Sequence, residues 1–183
     1  MKSKETKKLH IGCGKDIKKG YINLDIAKLP GIDVVHDLNT FPYPFKDNTF
    51  YEILANSVIE HVDDVIKVVT ELHRISKPNA VMKIRVPYFH AAGGLAIITH
   101  KHFFNADAFN NFTDKDPFGI DYYTKARLKV EKIVLVPSRL GRLIPPLPLP
   151  KKWGLNALNF RHLMSYVLGE VILEIYFELR VIK

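Results

Sequence analysis

The chain has 183 residues, enough for one hydrophobic core and too few for a catalytic domain plus a separate substrate domain. A hydrophobic fraction of 47% with 25% charged residues excludes disorder as the default, and a single cysteine, Cys13, excludes an internal disulfide. The net charge of +8 is compatible with RNA, an anionic lipid surface or a phosphorylated substrate, but no aromatic or Gly/Arg interleaving accompanies the lysines, so the simpler reading is a solvated basic face.

The polar, Lys-rich stretch Met1 to Lys8 has no apolar run behind it and does not read as a signal peptide. Lys8 to Ile11 is a short apolar run ending at Gly12-Cys13-Gly14, and Tyr21 to Asp25 is another, ending at a carboxylate. Both read as buried parallel strands. Ile32 to His36, followed by Asp37, repeats the pattern, and Phe50 to Ala55 is a fourth run, ending at Asn56-Ser57. The period then changes. Val65, Ile66, Val69, Leu72 and Ile75 recur at helical spacing, with Asp63 or Asp64 placed to cap the helix and Pro78 to end it.

Val81 to Val86 returns to a strand, His100 to Phe112 is expected to be a helix, and Leu128 to Val136 a further strand. Ser138 to Gly169 contains Pro145, Pro146, Pro148 and Pro150 and then an expected helix from Trp153 to Leu168. A connection of this length has a structure or task of its own, here read as a substrate-side insertion or cap. Contact of its Leu147, Leu149, Trp153 and Leu155 with a membrane surface, beside Lys151 and Lys152, is the less favoured alternative. The last segment places Val171, Leu173, Ile175, Phe177, Leu179 and Val181 on one face and Glu174, Glu178 and Arg180 on the other, as in an antiparallel strand near a sheet edge. Its glutamates, Glu170 included, argue against a membrane span. Strands alternating with helical periods predict an α/β fold with a largely parallel sheet.

The glycines after the first strand let the backbone approach a ligand and take positive φ. A lone Gly-x-Gly is weak evidence, but Asp25 ends the next strand, where a carboxylate can accept both hydroxyls of a ribose, and Asp37 ends the third, where it can face an adenine amine. A dinucleotide fingerprint needs a third glycine where this chain has Ile17, and only ten residues separate Gly14 from Asp25, too few for the usual helix that holds a pyrophosphate. A nicotinamide dinucleotide is therefore disfavoured. A nucleoside cofactor without phosphates needs no such anion site.

The stretch Leu9 to Pro87 carries Leu-His-Ile-Gly-Cys-Gly, Gly-Tyr-Ile-Asn-Leu-Asp, Val-Val-His-Asp-Leu, Pro-Tyr-Pro-Phe-Lys-Asp-Asn-Thr-Phe, Asn-Ser-Val-Ile-Glu-His-Val and Glu-Leu-His-Arg-Ile-Ser-Lys-Pro-Asn-Ala. In order and spacing it resembles the class I, S-adenosylmethionine-dependent methyltransferases of the type 11 group. The resemblance implies a Rossmann-like, mostly parallel seven-stranded sheet with an antiparallel last strand and, in this chain, a shortened first helix. It implies that the loop Ile11, Gly12, Cys13, Gly14 meets the methionine and ribose of S-adenosyl-L-methionine. Asp25, with Ile26 beside it, would hold the ribose, Asp37 and Leu38 would face adenine, Asn56 and Ser57 would lie by the sulfonium, and His61 would close the pocket. Asn79 stands where this pattern commonly has glycine, which Asn tolerates because it adopts positive φ more readily than most residues.

Beyond the cofactor, His90, His100 and His102 follow the fifth strand on the side where a parallel sheet opens its crevice, and His90 and His100 are the candidate general bases. His100-x-His102 can also bind a metal, but no third ligand is evident in the sequence and no metal site is expected. Glu60 and His61 form a weaker candidate acid/base pair, Phe103, Phe104, Phe109 and Phe112 read as core, and Cys13 fills a turn rather than acting as a nucleophile. Methyl transfer from a sulfonium is an in-line displacement that alignment and desolvation can drive without a base. The expected activity is O- or N-methylation of a small-molecule or glycan acceptor in a reducing, cytoplasmic setting. The alternative is a non-catalytic fold of the same kind that binds cofactor or RNA.

Overall fold

In the computed structural model, which describes residues 7–114, 119, 121–148 and 159–183, seven strands form one sheet in the order β3-β2-β1-β4-β5-β7-β6. The strands are β1 (Lys7–Ile11), β2 (Ile22–Asp25), β3 (Val34–Val35), β4 (Phe50–Asn56), β5 (Ser76–Pro87), β6 (Arg127–Pro137) and β7 (Ile172–Ile182). β1 to β5 pair in parallel, while β7 runs antiparallel to both β5 and β6. β7 therefore lies one position in from the edge, and β6 is the edge strand. Its alternation is as expected from Ile175 to Val181, each apolar member being fully buried, but Leu173 is exposed because the β6–β7 register shifts at Val136/Pro137.

The first helix is shortened to a set of turns between β1 and β2. The buried Asn23 side chain takes over the bonding that a helix would have supplied, accepting from the Lys18 amide at 2.9 Å and donating to the Lys18 carbonyl at 3.2 Å. The expected strand at Ile32 to His36 contracts to Val34 and Val35.

Helix α1 (Val65–Ile75) is capped by Asp64, whose carboxylate accepts the Lys67 amide at 3.0 Å, and it buries Val68, Val69, Leu72 and Ile75 against the sheet. It ends at Ser76, whose hydroxyl donates back to Leu72, so the chain enters β5 two residues before Pro78 and the strand itself contains that proline. Asn79 takes φ +63° there, as its residue type permits. The segment expected as a helix over His100 to Phe112 is instead a loop with a bridge at Phe104 and one turn of 3₁₀ helix at Asn110–Phe112. Two local competitors explain the difference. The Asn105 side chain accepts the Asp107 amide at 3.0 Å, so that amide is not available to a helical ladder, and the Lys101 amide donates to the Glu60 carbonyl at 2.8 Å, which ties the start of the segment to the turn after β4. A short helix α2 (Ala92–Ala96) precedes this loop, and Phe104, Phe109 and Phe112 are core residues as expected, whereas Phe103, expected with them, is exposed because without the helix it falls on the outer side of the loop.

The helix expected over Trp153 to Leu168 is represented among the described residues by α3 (Phe160–Ser165), capped by Asn159; Leu149, Lys151, Lys152, Trp153 and Leu155 lie outside them. Among the described residues no helix is long and apolar enough to cross a membrane.

Glu71 on α1 fastens the loop that leads into β4. Its carboxylate accepts the Tyr43 amide at 2.6 Å and the Arg74 guanidinium at 2.6 and 2.8 Å, while Arg74 also donates to the Phe45 carbonyl at 3.0 Å. The guanidinium holds the nearly buried Glu71 carboxyl below the usual glutamate range. A carboxylate whose folded pKa is depressed contributes stability above its unfolded pKa and loses it as pH falls through the folded value. Glu71→Gln is therefore expected to lower stability by about 1–2 kcal/mol at neutral pH and to flatten the acid-side decline, read by thermal melts from neutral to about pH 3. An unchanged decline would remove Glu71 from the acid response.

Candidate active site

Strand order reverses at β1, with β2 on one side and β4 on the other, which opens a crevice beyond their carboxyl ends. The loop after β1, the end of β2 and the turn after β4 meet there. Gly12 takes φ +57°, and a Cβ on it would lie 2.1 Å from Cγ2 of Val58, so this glycine is required both by conformation and by the approach of the turn after β4. Gly14 has φ +51° but faces open space.

Asp25 is nearly buried, and its two carboxylate oxygens accept the Gly14 amide at 2.7 Å and the Ala27 amide at 2.9 Å. Each oxygen keeps a further acceptor position. Asp37 follows β3 and accepts the Asn39 amide at 2.9 Å, and the buried Leu38 carbonyl accepts the Tyr43 hydroxyl at 2.9 Å. Gly12, Asp25, Ile26, Asp37, Leu38, Val58 and His61 line one cavity of about 200 Å³, with His36, Asn39 and Val62 completing it. Its walls carry two carboxylates and no Lys or Arg, which suits a polyhydroxylated, neutral or cationic ligand and opposes a pyrophosphate.

Other expected cofactor residues sit below or beside this cavity. Ile11 is fully buried in the core, and Cys13 is buried with its amide donating to the Leu24 carbonyl at 3.2 Å; burial and the nearby Asp25 push its thiol pKa up, in line with a turn-filling residue. Asn56 is half-buried at the end of β4. Ser57 takes φ +49° and donates its amide to the Arg85 carbonyl at 2.8 Å.

A second cavity of about 400 Å³ is lined by Ser57, Glu60, His61, Pro87, Ala91, Gly93, Gly94, Ile97, His100, Leu173 and Glu174. His61 belongs to both cavities, so they meet at one side chain. The His61 and His100 rings are 4.7 Å apart, and His100 Nε2 lies 4.0 Å from Glu60 Oε1. Glu60 is 1% exposed and neither of its carboxylate oxygens has a hydrogen-bond partner among the described residues; burial pushes its pKa up, and burial pushes that of His61 down.

The structure thus brings His100 to the site but not His90, whose Nδ1 lies 3.0 Å from the Ser165 carbonyl on α3 and whose ring stacks on Phe89. His102 is likewise occupied, its Nε2 2.9 Å from the Val62 carbonyl. Val58, Asn39 and Ile97 were not legible as site residues, because apolar and amide side chains carry no chemical signature until the turns that hold them are placed.

Residues 9–84 match the model of the family described as the methyltransferase domain. The match spans less than half of the chain, and over that span the sequence is similar to a methyltransferase domain, in line with the resemblance carried by Leu9 to Pro87. That similarity indicates S-adenosylmethionine as the cofactor and methyl transfer as the activity. No curated relative matches in sequence.

The fold is similar to that of several solved structures. One is a SAM-dependent methyltransferase from Archaeoglobus fulgidus, at 15% identity and a TM-score of 0.64, covering 96% of this chain and 86% of that one. The YcgJ protein of Bacillus subtilis is similar at 12% identity and a TM-score of 0.59, covering 97% and 92% respectively. An S-adenosylmethionine-dependent methyltransferase from Mesorhizobium loti is similar at 11% identity and a TM-score of 0.56, covering 95% and 90%. Gly12, whose missing side chain leaves room for Val58, and the hydrogen-bond-accepting carboxylates of Asp25 and Asp37 fit the hydroxyls, amine and positive charge of an adenosyl sulfonium.

Proposed function

We propose that this protein is an S-adenosylmethionine-dependent methyltransferase that methylates an oxygen or nitrogen of a small-molecule or glycan acceptor held in the second cavity. The observation that carries the reading is the meeting of the two cavities at His61. Asp25 would accept the ribose hydroxyls, Asp37 and the Leu38 backbone would face adenine, and Gly12 and Gly14 would leave room for the rest of the cofactor, with Ile11 and Cys13 shaping their loop from below. Ile26 would flank the ribose, and Asn56 and Ser57 would lie beside the methionyl end. The cofactor, when bound, supplies an activated methyl group; the chain's own part is to orient the acceptor and exclude water.

The acceptor cavity has acidic, apolar and imidazole walls and no Lys or Arg, which supports a small molecule and argues against RNA phosphates as the ligand there. His100 is the candidate group for receiving a proton from the acceptor, since its ring alone of the two expected bases lines that cavity. We read the whole chain as one domain with its late segment as a cap. Supporting this, α3 packs on the residues after β5, Tyr88 hydroxyl to Ser165 hydroxyl at 2.7 Å, and the Glu170 carboxylate accepts the Ala92 amide at the start of α2.

The first test is binding. S-adenosylhomocysteine at tenfold above its Kd is expected to stabilise the fold by about 1.4 kcal/mol and raise the melting temperature by roughly 3–5 °C. A folded sample with no thermal shift and no calorimetric heat would remove the cofactor assignment. Labelled-methyl transfer to a panel of hydroxyl and amine acceptors then identifies the acceptor class.

A further inference from the structure

We infer that Glu60, His61 and His100 form a binding site for a divalent first-row transition-metal ion at the floor of the acceptor cavity. The three side chains come from the turn after β4 and the loop after α2, and one donor atom from each lies within 4.8 Å of the others. Donors on a common ion stand no farther apart than about 4.2 Å, twice a typical bond length, so a movement of a few tenths of an ångström closes the set.

Three observations point to a cation rather than to a plain buried cluster. The first is Glu60. A fully buried carboxylate without any hydrogen-bond partner is costly, and an ion is the ligand that would offset it. The second is the tautomer of both imidazoles. His61 Nδ1 lies 3.2 Å from the Thr99 carbonyl and His100 Nδ1 lies 2.8 Å from the Gly94 carbonyl. A carbonyl only accepts, so each Nδ1 carries the hydrogen and each Nε2 presents a lone pair. This is the outer-shell arrangement that orients metal-bound histidines.

The third is access. All three side chains line the second cavity, so an ion held by two imidazoles and one carboxylate keeps coordination positions directed at a ligand in that space. The imidazole content favours manganese, iron, cobalt or zinc over magnesium or calcium. If the second cavity is the acceptor site, on which this role rests, the ion would hold an acceptor oxygen next to the cofactor cleft and ease loss of its proton to water, and His100, with its Nε2 lone pair on the ion, would then serve as a ligand in place of the proton acceptor proposed above. The His100-x-His102 pair of the sequence is not the ligand pair, because His102 is turned to Val62.

The test uses the full chain, stripped of metal by chelator dialysis and titrated with cobalt(II) chloride while visible absorption and melting temperature are followed. One saturable equivalent, ligand-field absorption and a higher melting temperature are expected. Glu60→Gln and His100→Ala should each weaken uptake about tenfold or more, with His61→Ala as the substitute if either fails to fold, while His102→Ala should leave it unchanged. No saturable uptake by the wild-type chain, or unchanged uptake in folded Glu60→Gln, overturns the site. S-adenosylhomocysteine binding is measured on the same samples: cobalt uptake without it keeps the ion and removes the acceptor role, and its binding without cobalt uptake removes the ion and keeps the function.

Discussion

Gly12→Ala is expected to abolish S-adenosylhomocysteine binding and to lower the melting temperature by roughly 10 °C. Two costs combine. The added Cβ would lie 2.1 Å from Cγ2 and 2.6 Å from Cβ of Val58, a branched side chain on a turn that also carries Glu60 and His61, so relief requires moving the site itself. Overpacking of this kind costs about 1–3 kcal/mol, and holding a non-glycine residue in the left-handed region adds about 1–2 kcal/mol. In a chain of this size each kcal/mol shifts the melting temperature by roughly 2–4 °C. Gly14→Ala is the internal comparison. Its φ is similar, +51°, but its Cβ meets nothing within 4 Å, so only the conformational cost applies and its melting temperature should fall less. Equal effects of the two substitutions, measured by calorimetry and thermal melts, would show that the approach of Val58 does not set the shape of the cleft.

Asp25→Ala is expected to weaken S-adenosylhomocysteine affinity about a hundredfold, equivalent to about 2.7 kcal/mol, because hydrogen bonds to a nearly buried carboxylate are worth about 1.5–3 kcal/mol. The bland alternative is concrete here. Asp25 already accepts the Gly14 and Ala27 amides, and a carboxylate can sit at a strand end only to hold the next turn. The two roles separate in the readout. A purely structural Asp25 lowers the melting temperature without changing the affinity of the folded fraction, whereas a ribose acceptor changes both. Asp25→Asn, which keeps one carbonyl acceptor and loses the charge, should fall between wild type and alanine. A folded Asp25→Ala protein that binds with wild-type affinity would falsify the ribose assignment.

Several elements were readable directly from neighbouring residues. The short apolar runs became β1, β2, β4 and β5, with Ile53, Ala55, Met82, Ile84 and Val86 buried on one face of β4 and β5 and Glu52, Lys83 and Arg85 on the other, and the helical spacing before Ser76 picked out Val69, Leu72 and Ile75 of the buried face of α1 but not Val68. The segment from His100 to Phe112 misled because its phenylalanines have a spacing compatible with a helix, yet their burial is supplied by a loop pinned to the Glu60 carbonyl and by the Asn105 turn. Alternation revealed β7 but not its place between β5 and β6, since its pattern is the same whichever strands flank it. In the site, Gly12 and Asp25 were legible because each directly follows or ends a strand.

Local order along the chain was enough to establish the strand and helix types, the parallel majority of the sheet and a glycine-and-carboxylate cleft, because all of these depend on residues within a turn or a strand of one another. Folding alone decided that Val58 closes on Gly12, that His90 turns to Ser165 while His100 turns to Glu60, and that His61 stands between two cavities. Those outcomes depend on the packing of loops distant in sequence, where carbonyl groups of Thr99, Gly94 and Ser165 select the ring orientation of each histidine, and no periodicity along the chain encodes them.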